Sequence, residues 1–292
     1  MIQELIKLKT EDNIELTGLL YKPKEETKKI VVHVHGFAGN FYENSFVDFQ
    51  AKSYTKIGYS YFPFNNRGNN YLAELIKKEN DNVSYIMGGG AYESFIDSYY
   101  DIDAAVNYVK SLGYNEIILQ GHSYGCNKVI NYYLKNNNNI NGIILLAPCD
   151  LVETNRVFIS DYEEYLNKNK RLYEEKKYNE LVFTDEFPPM VFSVKTFIED
   201  WTENTNSDIF KYRKNGYINE LLKTINIPIL VQIGDKDTAS LVVPKELVTE
   251  FLNNNINKLT LKFIQDANHG YIGQEQKMSD NCVEWLNTLW EE

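Results

Sequence analysis

Residues 116–127 read Glu116-Ile117-Ile118-Leu119-Gln120-Gly121-His122-Ser123-Tyr124-Gly125-Cys126-Asn127, and the reading of this stretch decides the fold. A short apolar run ends at Gln120, and a helical pattern takes over across 127–134. The Gly-x-Ser-x-Gly pentad between them is therefore a turn from strand directly into helix. Such a turn needs glycine, because the chain reverses sharply and the helix must lie close against the strand it follows. The middle residue is held in a strained conformation, with its side chain above the sheet edge. The helix N-terminus behind Ser123 favours negative charge there.

Working outward, five further apolar runs share the character of 116–120: 30–34, 59–64, 142–147, 227–233 and 259–264. Continuous apolar runs of this length suit strands buried on both faces, as in a parallel sheet. Between them, 94–112 sets Phe95, Tyr99, Ile102, Ala105, Val106 and Val109 at helical spacing, and 274–290 does the same with Met278, Cys282, Trp285, Leu286 and Leu289. Strand and helix in alternation predict an α/β fold, with a mostly parallel sheet and helices on both faces. The first 22 residues alternate apolar and polar around a turn at Glu11-Asp12-Asn13, which predicts an antiparallel hairpin. The asparagine run at 136–139 reads as an exposed loop.

One segment breaks the rhythm. Tyr162, Tyr165, Leu166, Leu172 and Tyr173 suggest one amphipathic helix, and Val194, Phe197, Ile198 and Trp201, after Phe187-Pro188-Pro189, suggest another. The expected organisation is a core in two parts, 1–149 and 224–292, interrupted by a helical lid at 150–223. Open α/β sheets bind ligands at the carboxyl edge that such a lid would cover. Its aromatic content suggests an apolar pocket.

The whole chain has 292 residues, 43% of them hydrophobic, and a formal net charge of −11 without any block of Lys or Arg. A surface that tracks phosphates needs clustered positive charge, so nucleic acid is not an expected partner. The N-terminus lacks the basic start and apolar run of a signal peptide, and no stretch has the length of a membrane span. Three cysteines, Cys126, Cys149 and Cys282, show no paired spacing. Together these features predict a cytoplasmic protein with free thiols and no membrane partner. Cys126 is read as a small core residue.

A serine hydroxyl needs a neighbouring base, and the chain offers four histidines. His33 lies inside a predicted strand, His35 sits in a turn, and the His122 side chain cannot easily face the hydroxyl of its own neighbour. His269 remains, in the loop after the last predicted strand, at the same sheet edge as Ser123. The base needs a carboxylate to hold its tautomer. Gly234-Asp235-Lys236-Asp237 follows the preceding strand; Asp237, further along the loop, is the choice and Asp235 the reserve. A metal site built on Asp235, Asp237 and His269 would lack a second histidine at ligand spacing, so no metal is expected. Attack on a carbonyl also needs N–H donors for the oxyanion. Tyr124 supplies one, and Phe37, in the loop His35-Gly36-Phe37-Ala38-Gly39, supplies the other.

The order Ser, Asp, His, the His-Gly pair after an early strand and the Gly-His-Ser-Tyr-Gly elbow resemble the α/β-hydrolase family, above all its compact bacterial esterases. The likeness spans nearly the whole chain. It implies an eight-stranded, mostly parallel sheet, a variable lid and a two-step acyl transfer that uses no cofactor. Asn65-Asn66-Arg67-Gly68-Asn69 is similar to the family's Asp-x-Arg-Gly segment but has Asn where an acid is frequent, so Arg67 is given a structural role only. Glu93, after Gly88-Gly89-Gly90, is within reach of the mouth of the site but is read as an exposed loop acid. The expected substrate is a small-molecule carboxylic ester. A thioester, an amide or a carbon–carbon bond would use the same triad, and a non-catalytic ligand receptor is the alternative of another class.

Overall fold

Apolar runs bounded by polar residues become strands here because both of their faces find cover. The computed structural model describes residues 1–80, 82–136, 139–184 and 189–289. Asn137 and Asn138 of the asparagine loop, Phe187 and Pro188 of the proline turn, and Trp290 at the end of the last predicted helix lie outside the described residues. In chain order the elements begin with β1 (Ile2–Lys9), β2 (Glu15–Lys22), β3 (Lys29–Val34), α1 (Phe46–Lys56), β4 (Ser60–Phe64), β5 (Ala73–Glu79), β6 (Asn82–Gly88) and α2 (Ser98–Ser111). Then come β7 (Glu116–His122), α3 (Tyr124–Lys135), β8 (Gly142–Leu146), α4 (Leu151–Phe158), α5 (Tyr162–Glu174), β9 (Leu181–Phe183), β10 (Val191–Ser193) and α6 (Val194–Asp200). The chain closes with α7 (Glu220–Lys223), β11 (Ile229–Gly234), α8 (Lys245–Asn255), β12 (Leu259–Ile264) and α9 (Glu275–Thr288).

Eight strands form one sheet in the order β1-β2-β4-β3-β7-β8-β11-β12. The first two form the expected hairpin, paired from Ile2 with Lys22 to Lys9 with Glu15, and β2 runs antiparallel to β4. From β4 to β12 every neighbouring pair is parallel. Successive side chains of a strand point to opposite faces, and the core divides accordingly. Ile30, Val32, Ile117, Leu119, Ile143 and Val231 pack with α2, α3 and α8 on one side. Val31, Ile118, Ile144 and Leu230 pack with α1 and α9 on the other. All six apolar runs of the sequence are strands of this sheet.

The register fixes where the loops open. Val34 lies opposite Gly121, His122 opposite Leu146, and Gly234 opposite Ile264. Parallel strands in that register end together, so the segments after β3, β7, β8, β11 and β12 leave from one rim.

Two features were not legible in the pattern. β5 and β6 form an antiparallel ribbon outside the main sheet, and β6 is exposed along nearly its whole length. The described residues of 150–223 contribute no strand to the main sheet. They contain the two expected helices as α5 and α6, with α4, α7 and the short β9–β10 hairpin beside them. The base of this segment is tied together by Arg213, whose guanidinium lies 2.5 Å from Asp150 and 2.8 Å from Asp208, all three side chains being buried. Among the described residues no helix is long and apolar enough to cross a membrane.

Candidate active site

Ser123 joins β7 to α3 with φ 54° and ψ −126°, a conformation that side chains rarely adopt. Close packing holds it there. A methyl group on Gly121 would lie 2.4 Å from the Gly125 carbonyl oxygen, and one on Gly125 would lie 2.2 Å from that of Val34. These positions admit only glycine, because strand, turn and helix touch backbone to backbone. Ser123 itself stays partly exposed at the rim.

His269 follows β12 and meets Asp237, which follows β11. Nδ1 of the imidazole lies 3.0 Å from both carboxylate oxygens. The Asp237 side chain is wholly buried, whereas that of His269 keeps 33% of its exposure. Oδ1 of Asp237 also accepts the N–H groups of Ala239 and Ser240, each at 3.0 Å. Burial by itself would raise this carboxyl's pKa, but the imidazole and the Ser240 donors outweigh it and hold the group below the ordinary aspartate value. A carboxylate at Nδ1 keeps the ring proton there and leaves Nε2 as the basic nitrogen. Asp235 takes a different part: its carboxylate accepts the Asp266 N–H at 2.7 Å and shapes the two loops. Of the two acids, Asp237 is thus the one that meets the histidine. The Ser123 hydroxyl and the His269 ring share the rim, but among the described residues no hydrogen bond joins them; such bonds often tighten only with substrate in place.

The other three histidines are buried. His33 lies 2.8 Å from the Gln120 amide through Nδ1. His122 reaches the His269 carbonyl, also at 2.8 Å. His35 shapes the loop after β3. Its Nε2 accepts the Asn66 N–H at 3.1 Å, so its Nδ1 carries the proton and donates to the Gly36 carbonyl at 2.8 Å. Burial, and then the nearby Lys128 charge, lower its pKa to about 3, so the ring is neutral. In a trans peptide C=O and N–H point in opposite directions. Holding Gly36 C=O against the His35 ring therefore turns the Phe37 N–H the other way. A methyl group on Gly36 would sit 2.8 Å from Cβ of Ser123, so this peptide lies directly against the serine. Neither the Phe37 N–H nor that of Tyr124, the first residue of α3, donates a hydrogen bond among the described residues.

Aromatic packing surrounds these two residues. The Phe37 ring lies 4.9 Å from Phe192 and 4.8 Å from Trp201, and Tyr124 lies 4.9 Å from Trp201. Of the aromatic side chains of 150–223, Phe192, Phe197 and Trp201 are buried against one another and against the core, whereas Tyr178 and Phe183 are exposed.

Arg67 has the structural part expected of it, held by both Asp101 oxygens and by Asp12. Glu93 does not match its reading as an exposed acid. It is buried and paired at 2.6 Å with Lys128, one turn into α3, and neither side chain has any exposure. The lysine also lies 4.8 Å from the centre of the Tyr124 ring. Sequence reasoning missed Lys128 because a lysine on an amphipathic helix reads as solvated. It also missed Asn66 and Ser240, which hold the site through backbone groups that no motif encodes. All three cysteines are buried and free. Cys126 packs in the core, where burial pushes its thiol pKa up. Among the described residues no group of three or more His, Cys, Asp or Glu side chains is arranged to hold a metal ion.

Fold and site together define a hydrolase of the α/β type. A family model described as the alpha/beta hydrolase fold matches residues 29–177, just over half of the chain, and the protein belongs to that family. No curated protein sequence matches the chain. Among solved structures it is similar to Est1E from Butyrivibrio proteoclasticus, solved with ferulic acid bound, with a TM-score of 0.68 and 17% identity over 97% of this chain and 98% of that one. It is also similar to the Pyrococcus furiosus esterase Pf2001, with a TM-score of 0.62 and 19% identity over 98% and 91%. An alpha-beta serine hydrolase homologue from Coxiella burnetii matches with a TM-score of 0.56 and 15% identity over 98% of each chain. At these identities the likeness is one of architecture.

Proposed function

We propose that the protein hydrolyses small or medium carboxylic esters through an acyl-enzyme on Ser123, without a cofactor. The observation that carries this reading is the buried Asp237 carboxylate on Nδ1 of His269, at the rim where Ser123 stands in its strained turn. His269 Nε2 takes the Ser123 proton as the hydroxyl oxygen attacks the ester carbonyl. The N–H groups of Phe37 and Tyr124 receive the developing oxyanion. The alcohol leaves with the proton from His269, and water, deprotonated by the same nitrogen, cleaves the acyl-enzyme. In this reading 150–223 is the lid and the core is its two flanks, 1–149 and 224–292. The support is contact: Phe192 and Trp201 pack on Phe37, one of the oxyanion donors.

Ser123→Ala tests the reading. Turnover of a p-nitrophenyl ester should fall by roughly three powers of ten or more while the fold is kept. A fluorophosphonate should label wild-type Ser123 and leave the variant unlabelled. Turnover retained by Ser123→Ala would remove the assignment. A panel of acyl chain lengths, a feruloyl ester, a thioester and an anilide then ranks the leaving groups.

A further inference from the structure

His122 takes no part in the acyl transfer described above, yet it forms a direct link between two parts of the machinery. Nε2 of His122 lies 2.8 Å from the backbone carbonyl oxygen of His269. A carbonyl only accepts, so the proton sits on Nε2 and the ring donates. The donor is the residue bonded to Ser123, and the acceptor belongs to the residue that carries the base. The two imidazoles lie 5.0 Å apart, and Phe46 holds the far side of His122 at 5.1 Å.

The loop that carries His269 is anchored on its near side by the Asp266 N–H on the Asp235 carboxylate and by the Lys236 N–H on the Ala267 carbonyl. Its neighbours Asn268 and Ile272 are exposed, and it turns through Tyr271 at φ 56°. The Tyr271 hydroxyl fastens the far end to the Gln232 carbonyl at 2.8 Å. Asp237 holds the ring, and His122 is the contact that fixes the His269 backbone against the elbow.

We propose that His122 is a positioning residue: its Nε2–H latches the His269 backbone to the nucleophile turn and so sets the separation between Ser123 Oγ and His269 Nε2. Burial first, and then the proximity of His269, hold the His122 pKa down to about 4. The latch therefore stays neutral and adds no positive charge beside the imidazolium that forms during attack. Reacting atoms must be held near 3 Å, and a displacement of about 1 Å costs up to roughly a hundredfold in rate. The proposal rests on the Ser123, His269 and Asp237 reading.

Substitutions at 122 separate a donor from a spacer. His122→Phe keeps a ring without the N–H, His122→Gln keeps an N–H at the reach of Nε2, and His122→Asn has one that stops short. The readouts are kcat and KM for a p-nitrophenyl ester, the rate of fluorophosphonate labelling of Ser123, and Tm. His122→Phe should lower kcat and labelling together by roughly tenfold to a hundredfold, with KM within about twofold, because the loss lies in the reacting geometry. His122→Gln should recover most of both. Wild-type rates in His122→Phe, or rates in His122→Gln as low as in His122→Phe, would overturn the latch. If His122→Phe does not fold, Gln against Asn decides: Gln above Asn supports the latch, and equal rates overturn it. Ser123→Ala run alongside keeps the two failures apart. An inactive Ser123→Ala beside a fully active His122→Phe ends the latch alone, whereas an active Ser123→Ala ends the nucleophile assignment.

Discussion

Replacing Asp237 by Asn changes two atoms' chemistry with almost no change of shape, and the structure dictates how the amide must sit. Oδ1 of Asp237 accepts two N–H groups, from Ala239 and Ser240, each at 3.0 Å. An amide nitrogen in that place would face two donors, so Asn fits only with its oxygen there. Its nitrogen then occupies the place of Oδ2, 3.0 Å from Nδ1 of His269, and donates to it. Oδ1 also lies 3.0 Å from Nδ1, so a donor and an acceptor then compete there, and the amide N–H favours the tautomer with its proton on Nε2, the nitrogen that accepts the Ser123 proton in the proposed mechanism. The expected loss is about 10⁴-fold in kcat, as for tautomer inversion in a serine triad, or about 5.4 kcal/mol of barrier at roughly 1.36 kcal/mol per power of ten. The backbone donors stay satisfied, so the variant should unfold close to the wild-type temperature. Initial rates on a p-nitrophenyl ester, with thermal unfolding measured in parallel, test this. A folded Asp237→Asn enzyme whose kcat stays within about tenfold of wild type would refute the tautomer argument.

Gly36→Ala should cost roughly a hundredfold in kcat, because its methyl would meet Ser123 Cβ at 2.8 Å and the His122 carbonyl oxygen at 2.9 Å and push the loop after β3, which carries the proposed oxyanion donor, outward; an unchanged kcat would show that the loop has room. Lys128→Met should destabilise the fold by about 3–5 kcal/mol, since Glu93 would keep a buried charge without its partner. Adding Glu93→Leu should recover most of that loss in urea unfolding, and a double variant no more stable than the single one would contradict it. Asp200 is buried, and burial, reinforced by Glu93 and Glu199, pushes its pKa up to about 8 against the lowering effect of the Phe95 N–H. An unfolded aspartate ionises near 3.9, so between those values the folded chain holds a proton that the unfolded chain has lost. Stability should therefore fall as pH rises through that window, by up to about 1.4 kcal/mol per pH unit. Asp200→Asn, which still accepts from Phe95, should flatten the slope; urea midpoints that run parallel for variant and wild type from about pH 5 to 8 would contradict the assignment.

Legibility in the sequence followed the range of the forces involved. Strands such as 117–119 and 143–145 show themselves because both faces must be apolar, a requirement met within the strand itself. The glycines at 121 and 125 show themselves because the turn has no space for a side chain. The β5–β6 ribbon escaped the pattern because it buries little: Leu75 is its one buried side chain before Gly88, so alternation had nothing to enforce it. Glu93 was misread for a related reason. An acid in a glycine-rich loop is solvated unless a cation meets it, and its cation stands 35 residues later on α3.

The sequence by itself determined the class of fold, the strand-to-helix turn at Ser123 and the candidate base, because strand burial, turn sterics and the supply of only four histidines are properties of short segments and of composition. Tertiary structure alone decided that Asp237 and not Asp235 meets His269, that the His35 ring holds the Gly36 carbonyl, and that Lys128 and Glu93 pair in the interior. Each of these depends on two segments brought within about 3 Å, the range over which a hydrogen bond acts, and it is the register of parallel strands that brings segments so distant in sequence to one rim.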